Sequence, residues 1–285
     1  MAYIKYLRTL KCKNDGYTLN GIEEKDISKQ VCPQCGRSDF DWSLSYTSDI
    51  TEDVQTGYKV IDRIIAEQEG DNGIIRVIQH SDNKRSLKIN DIGYSCIYTD
   101  NTHKYEPVNI GIQEFIESLN QKKPLKNICI LGGGGGTLIK FIIRNITSVK
   151  RIDSVEINPV ITHFCEEFFI SDILKLKENQ KRIYLIEGDA FEFIKDTLNQ
   201  YEFIYVDLYL KDLIPSKAFQ ENFITDLKEC LCDGGVVAFN MTFSDKYEEL
   251  LEIGKRFFSD YHVLKGHTDE EKYVVLSDKN IEPKL

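Results

Sequence analysis

The 285 residues carry 36 lysines and arginines against 46 aspartates and glutamates, a formal net charge of −10. An acid surplus disfavours nucleic acid as a partner, because neutralising phosphates needs a concentrated basic face. No apolar run approaches the roughly 18 residues of a membrane span, and Met1 to Leu10 lacks a signal peptide's apolar region and cleavage site, so the expectation is a cytoplasmic protein with no nucleic-acid or membrane partner.

In a reducing compartment the eight cysteines read as free thiols or metal ligands before disulfides. Over residues 1–50 two short patterns echo each other, Cys12-Lys13-Asn14-Asp15-Gly16 and Cys32-Pro33-Gln34-Cys35-Gly36. The second is a knuckle in which two thiolates meet one metal, and the first has the same shape with Asp15 in place of the second cysteine. The spacing predicts a zinc-ribbon-like segment with Cys12, Cys32 and Cys35 as ligands and Asp15 as the fourth. The alternatives are His80 or His103 as fourth ligand, or a vestigial ribbon without metal. A segment so small has almost no core, so metal binding and folding would be one event. Trp42, the sole tryptophan, sits between Phe40 and Tyr46 and is expected to pack the ribbon onto its neighbour.

Residues 55–106 read as a small antiparallel β-domain, because apolar and polar residues alternate in Ile74-Ile75-Arg76-Val77-Ile78-Gln79 and strands are predicted at 59–67, 74–80, 86–90 and 94–98. Helical periodicity follows at 108–119.

From Ile128 strands alternate with helices through 108–285, which predicts an α/β, Rossmann-like domain. Its parallel sheet would be covered on both faces and bind ligands at the C-terminal strand ends. Strands are expected at 128–131, 151–156, 183–187, 203–207, 235–240, 261–265 and 272–276. Helices are expected at about 137–146, 159–168, 190–199, 216–231 and 245–258.

The first strand empties into five glycines, Gly132, Gly133, Gly134, Gly135 and Gly136, ahead of an apolar helix. Residues without Cβ can take left-handed φ and expose amides at a helix N-terminus, which suits a nucleoside or anionic group. A turn used only for tight packing is the alternative. Glu156 ends the next strand about 20 residues on, where a carboxylate can take ribose hydroxyls, and Asn158 follows it among the cofactor candidates. Asp189 with Ala190 suits adenine, the acid accepting the exocyclic amine, and Asp189 can equally cap the following helix. Asp207 ends a buried apolar strand, a setting that raises a carboxyl's pKa and makes it a candidate base. Tyr209 is grouped with it as catalytic.

At these residues the chain resembles the spermidine/spermine synthase family, polyamine aminopropyltransferases built on the class I S-adenosylmethionine methyltransferase fold. The similarity covers about residues 58–277, including the segment Ser86 to Ser95, and leaves the zinc-ribbon-like front outside. The resemblance implies that the glycine loop lines the methionine part of the donor, S-adenosylmethionine or its decarboxylated form. It implies further that Glu156 holds the ribose, Asp189 and Ala190 the adenine, and Asp207 the attacking amine. Two departures accompany it. The family reads GGGDGG at the loop, where this chain has no acid, and DSSDP after the fourth strand, where only Asp207 is kept and Asp212 comes late. Losing two carboxylates at ~1.5 to 3 kcal/mol per charge-assisted hydrogen bond weakens the case for a polycation.

The sequence therefore implies a transferase moving a methyl, aminopropyl or 3-amino-3-carboxypropyl group to a small-molecule amine or peptide acceptor, with a homodimer left open. The competing reading is a non-catalytic nucleoside-binding or protein-interaction module. The retained nucleoside shell argues against it.

Overall fold

The computed structural model describes residues 4–14, 18–23, 29–38, 40–41, 47–53, 57–70, 72–90, 92–100, 102–210, 213–242 and 244–281. The chain divides into two units, Met1–Asn101 and Thr102–Leu285.

The first unit is one antiparallel sheet. Strand β1 (Ile4–Cys12) pairs with β2 (Thr18–Glu23), β3 (Phe40–Asp41) and β4 (Thr47–Asp53), and the sheet continues through β5 (Gly57–Gly70), β6 (Gly73–His80), β7 (Lys84–Ile89) and β8 (Ile92–Tyr98). The order is β2-β1-β4-β5-β6-β7-β8, so strands from the cysteine-bearing segment and from residues 57–98 share one hydrogen-bonded sheet. Side-chain alternation shows in β6, where Ile75 and Val77 are buried and Arg76 between them pairs with Glu67 at 2.6 Å across the β5–β6 ladder. The β7–β8 turn is made by Asn90, at φ 54°, whose side chain accepts from the Ile74 amide at 3.1 Å.

The second unit opens with α1 (Ile110–Lys122). It continues through β9 (Asn127–Leu131), α2 (Thr137–Asn145), β10 (Arg151–Glu156), α3 (Pro159–Phe164), α4 (Ser171–Leu174), α5 (Lys177–Gln180), β11 (Ile183–Glu187), α6 (Ala190–Asp196) and β12 (Tyr201–Val206). It closes with α7 (Glu221–Glu229), β13 (Leu231–Asn240), α8 (Tyr247–Gly254), β14 (Asp260–Lys265) and β15 (Lys272–Ser277). Its sheet has the order β11-β10-β9-β12-β13-β15-β14. The five strands β9 to β13 are parallel, and the β14–β15 hairpin joins the β13 edge antiparallel. This is the α/β, methyltransferase-type sheet expected from the alternating pattern. The central strands are buried on both faces: Ile128, Cys129, Leu131, Phe203, Ile204, Val237 and Ala238 are each inaccessible to solvent, which is why they read as unbroken apolar runs.

Helix limits depart from the sequence reading for local reasons. The 159–168 helix widens into a π-helical turn at Cys165–Phe169. The 190–199 helix stops at Asp196, because Thr197 is extended and its hydroxyl accepts from the Asn199 amide. The 216–231 helix is a 3₁₀ turn, Ser216–Phe219, then α7, separated by extended Gln220. Among the described residues no helix is long and apolar enough to cross a membrane.

The strand order reverses between β9 and β12. In open α/β sheets ligands bind outside the C-terminal strand ends at such a switch point.

Candidate active site

Gly132 leaves β9 at φ +87°, and a Cβ there would lie 2.1 Å from the Asp207 carbonyl oxygen. Only glycine lets the two strand ends come this close, and the Asp207 amide in turn donates to the Leu131 carbonyl at 2.8 Å. A Cβ on Gly133 would strike Ser154 Oγ at 2.1 Å, and one on Gly136 would strike Cys165 Sγ at 2.7 Å. Three of the five glycines are therefore required by the chain's own packing, as the tight-turn alternative holds. What that packing achieves is to aim the Gly134 amide at Glu156, whose Oε2 accepts it at 3.1 Å.

Glu156 ends β10, and its Oε1 accepts the Asn158 amide at 3.0 Å. Burial pushes its carboxyl above the usual range against the pull of these amides. Each carboxylate oxygen has two lone pairs, so acceptor capacity remains for a diol. Asn158 is spent locally: its Oδ1 caps α3 through the Val160 amide at 3.0 Å, with Pro159 at the first helical position. Asp189 caps α6 through the Phe191 amide at 2.8 Å, and Ala190 is buried as that helix's first residue. The capping role of Asp189 is thus in place, and it holds the carboxylate at the end of β11.

Asp207 follows β12. Burial pushes its carboxyl up to about 6, the nearby Glu156 charge adds to the rise, and a hydrogen bond from Asn240 opposes it. That bond, Asn240 Nδ2 to Asp207 Oδ1, is 2.8 Å long. Asn240 ends β13, the parallel neighbour of β12, and its own Oδ1 accepts the Thr242 amide at 3.0 Å. Sequence reasoning missed Asn240, although a polar residue closing the apolar run Val236-Val237-Ala238-Phe239 carries the same signal as Asp207. The Tyr209 hydroxyl donates to the Thr242 carbonyl at 2.6 Å, and burial, with the Asp207 charge beside it, pushes its phenol up. Tyr209 therefore stays protonated and braces the loop after β12 against the end of β13. Among the described residues the buried Thr242 hydroxyl has no hydrogen-bond partner. Asp212 lies outside the described residues.

A second group forms in the first unit. The Sγ atoms of Cys12, Cys32 and Cys35 lie within 4.8 Å of one another. Asp15 lies outside the described residues, as do Trp42 and Tyr46. His80 is not in the group: its Nδ1 is 2.9 Å from Asp62 and its Nε2 2.7 Å from Ser86. His103 belongs to the second unit, where its Nδ1 is 3.0 Å from Thr102 Oγ1.

Known proteins bear on the second unit directly. The model of the spermine/spermidine synthase domain matches residues 113–262, a span that holds the glycine loop, Glu156, Asp189, Asp207 and Asn240. The chain belongs to this family. Its relatives include an eEF1A lysine and N-terminal methyltransferase homolog of Drosophila pseudoobscura pseudoobscura, 26% identical over 224 residues that make up 72% of this chain and 31% of that protein. A polyamine aminopropyltransferase of Alkaliphilus metalliredigens is 29% identical over 126 residues, 44% of this chain and 43% of its own. The matched region thus spans less than half the length of these two curated relatives. Spermidine synthase from Thermotoga maritima shares the fold with a TM-score of 0.59 at 15% identity, over 77% of this chain and 74% of that one. A probable spermidine synthase from Corynebacterium glutamicum does so with 0.63 at 16%, over 75% and 80%.

Proposed function

We propose that the second unit transfers an alkyl group from an S-adenosylmethionine-type donor to a nitrogen nucleophile, with Asp207 as the base. The observation that carries this reading is the placement of Asp207, a buried carboxyl raised to about 6. It closes the central strand against the glycine turn. In this reading Glu156, fixed by the Gly134 and Asn158 amides, takes the ribose hydroxyls. Asp189 and Ala190 border the adenine, and the glycine loop borders the methionine part. Chemistry at a sulfonium needs mainly alignment. The amine lone pair forms the new C–N bond as the C–S bond breaks, the electron pair leaves on sulfur as a neutral thioether, and the amine proton passes to Asp207. Asn240 and Tyr209 hold that carboxylate and its loop. The Thr242 hydroxyl, buried and without a partner among the described residues, supports a polar acceptor nearby, since buried hydroxyls are ordinarily hydrogen-bonded.

The loop carries no acid to pair with the cationic tail of a decarboxylated donor, and the same absence removes repulsion from a donor carboxylate. This favours intact S-adenosylmethionine. A second reading, methyl transfer to a protein or peptide amine, is favoured by the match to the Drosophila methyltransferase homolog, which spans 72% of this chain. We further divide the chain into a zinc-ribbon-like segment over 1–50, a β-domain over 55–106 and a nucleoside-binding domain over 108–285. Turnover of Asp207→Asn tests the base: a fall of ~10²- to 10⁴-fold with donor affinity kept is expected. Collapse of donor binding with turnover per bound donor retained would make Asp207 a binding residue.

A further inference from the structure

Outside the residues matched by the family lies one gathering of ligand atoms that the transferase reading does not use. Among the described residues, Cys12, Cys32 and Cys35 are the one set of three or more His, Cys, Asp or Glu side chains drawn to a common point. Its architecture is local at one end and remote at the other. The turn from Cys32 to Arg37 is closed by the Gly36 amide on the Cys32 carbonyl at 2.8 Å and the Cys32 amide on the Arg37 carbonyl at 2.7 Å, which sets Cys32 and Cys35 side by side. Gly36 takes φ +73°, and a Cβ there would meet nothing within 4 Å, so backbone conformation and not crowding calls for glycine. Cys12 arrives from 20 residues away as the last residue of β1, with its thiol and that of Cys32 buried.

Distance decides what the thiols are built for. A disulfide brings two sulfurs to about 2.05 Å and leaves the third with no role. Four Zn–S-type bonds of about 2.3 Å in a tetrahedron place ligand atoms about 3.8 Å apart. Cys12 and Cys35 stand 3.5 Å apart, and all three thiols fall within 4.8 Å, spacing that brackets the tetrahedral edge. Three thiolates on a dication leave surplus negative charge, and in sequence Lys11 and Lys13 flank Cys12 while Arg37 stands two residues past Cys35.

We propose that Cys12, Cys32 and Cys35 bind one zinc ion as thiolates, each thiol losing its proton on binding, with the carboxylate of Asp15 completing the tetrahedron. The metal clips the excursion between β1 and the Cys32–Arg37 turn to the end of β1 and contributes directly to the stability of the first unit.

The test uses the full chain purified without added metal. Elemental analysis should give close to one zinc per chain. Titration with a mercurial in the presence of a chromogenic chelator should release it as three thiols react. Cys12→Ser and Cys35→Ser should each lose the zinc, while Cys96→Ser, on β8 of the same unit, should keep it. Cobalt loading should give a sulfur-to-metal charge-transfer band that Cys35→Ser weakens. Because the serine variants can fail to fold, the unmodified protein supplies the decisive arm. Zinc below a tenth of an equivalent in protein with all eight thiols free overturns the site, as does a two-dalton deficit mapping to a disulfide within the trio. Unchanged zinc affinity in Asp15→Ala overturns the fourth ligand.

Discussion

Asp207→Asn should make the protein more stable, and more so as the pH rises. In the fold the carboxyl titrates near 6 where an unfolded chain titrates near 3.8, because burial penalises its charge. The folded state therefore holds this proton more tightly. The resulting stability is fully present below about pH 4 and is lost as the pH rises through about 6. A rise of roughly two pH units at about 1.36 kcal/mol each makes the full loss ~3 kcal/mol, of which about half has occurred by pH 5. Asparagine cannot ionise, keeps the shape and can still accept from Asn240 Nδ2. The gap between variant and parent should thus widen from ~1.5 kcal/mol at pH 5 to ~3 kcal/mol at pH 8. Urea unfolding of the ligand-free protein at both pH values measures it without knowledge of the acceptor. A gap that stays constant, or a variant less stable at pH 8, would refute the buried, raised carboxyl.

Asn240→Ala removes a charge-assisted bond worth ~1.5 to 3 kcal/mol, so the acid limb of kcat/KM should move up by about one to two pH units from near 6. An unmoved limb would show that Asn240 does not set the titration of Asp207. Glu156→Gln should weaken binding of S-adenosylhomocysteine about tenfold by calorimetry, through loss of a charged acceptor, and unchanged affinity would remove its ribose role. Gly132→Ala should destabilise by at least ~1 to 3 kcal/mol, since it combines φ +87° with a 2.1 Å approach to the Asp207 carbonyl. Gly188→Ala, whose Cβ would meet nothing within 4 Å, should stay within about 0.5 kcal/mol of the parent in the same urea experiment.

The parallel strands were legible because short strand stretches alternate with helical ones: the expected limits at 151–156 and 183–187 are those of β10 and β11, although β11 is an edge strand whose Tyr184 and Glu187 are exposed. Strand β4, Thr47–Asp53, was not legible. Its polar sequence carries no apolar alternation, and its pairing with β1 and β5 is set by partners remote in the chain. The glycine run was legible as a close approach, but not as an approach to Asp207 and Ser154, because only topology brings β12 and β10 beside β9. Asn240 escaped for the same reason: its polarity was visible, while its partner lies on the neighbouring strand. Asp189 carried two readings at once, and the cap it makes on α6 fixes the carboxylate without removing the other.

The most direct test of the account is donor turnover. The protein is incubated separately with S-adenosylmethionine and with its decarboxylated form, alongside primary amines of increasing length and charge and lysine-bearing peptides. The nucleoside by-product is followed by mass spectrometry. The account expects S-adenosylhomocysteine or methylthioadenosine to form in proportion to an alkylated amine, with the signal falling ~10²- to 10⁴-fold in Asp207→Asn. Failure of both donors and both by-products to bind, in protein whose fold is intact, would contradict it.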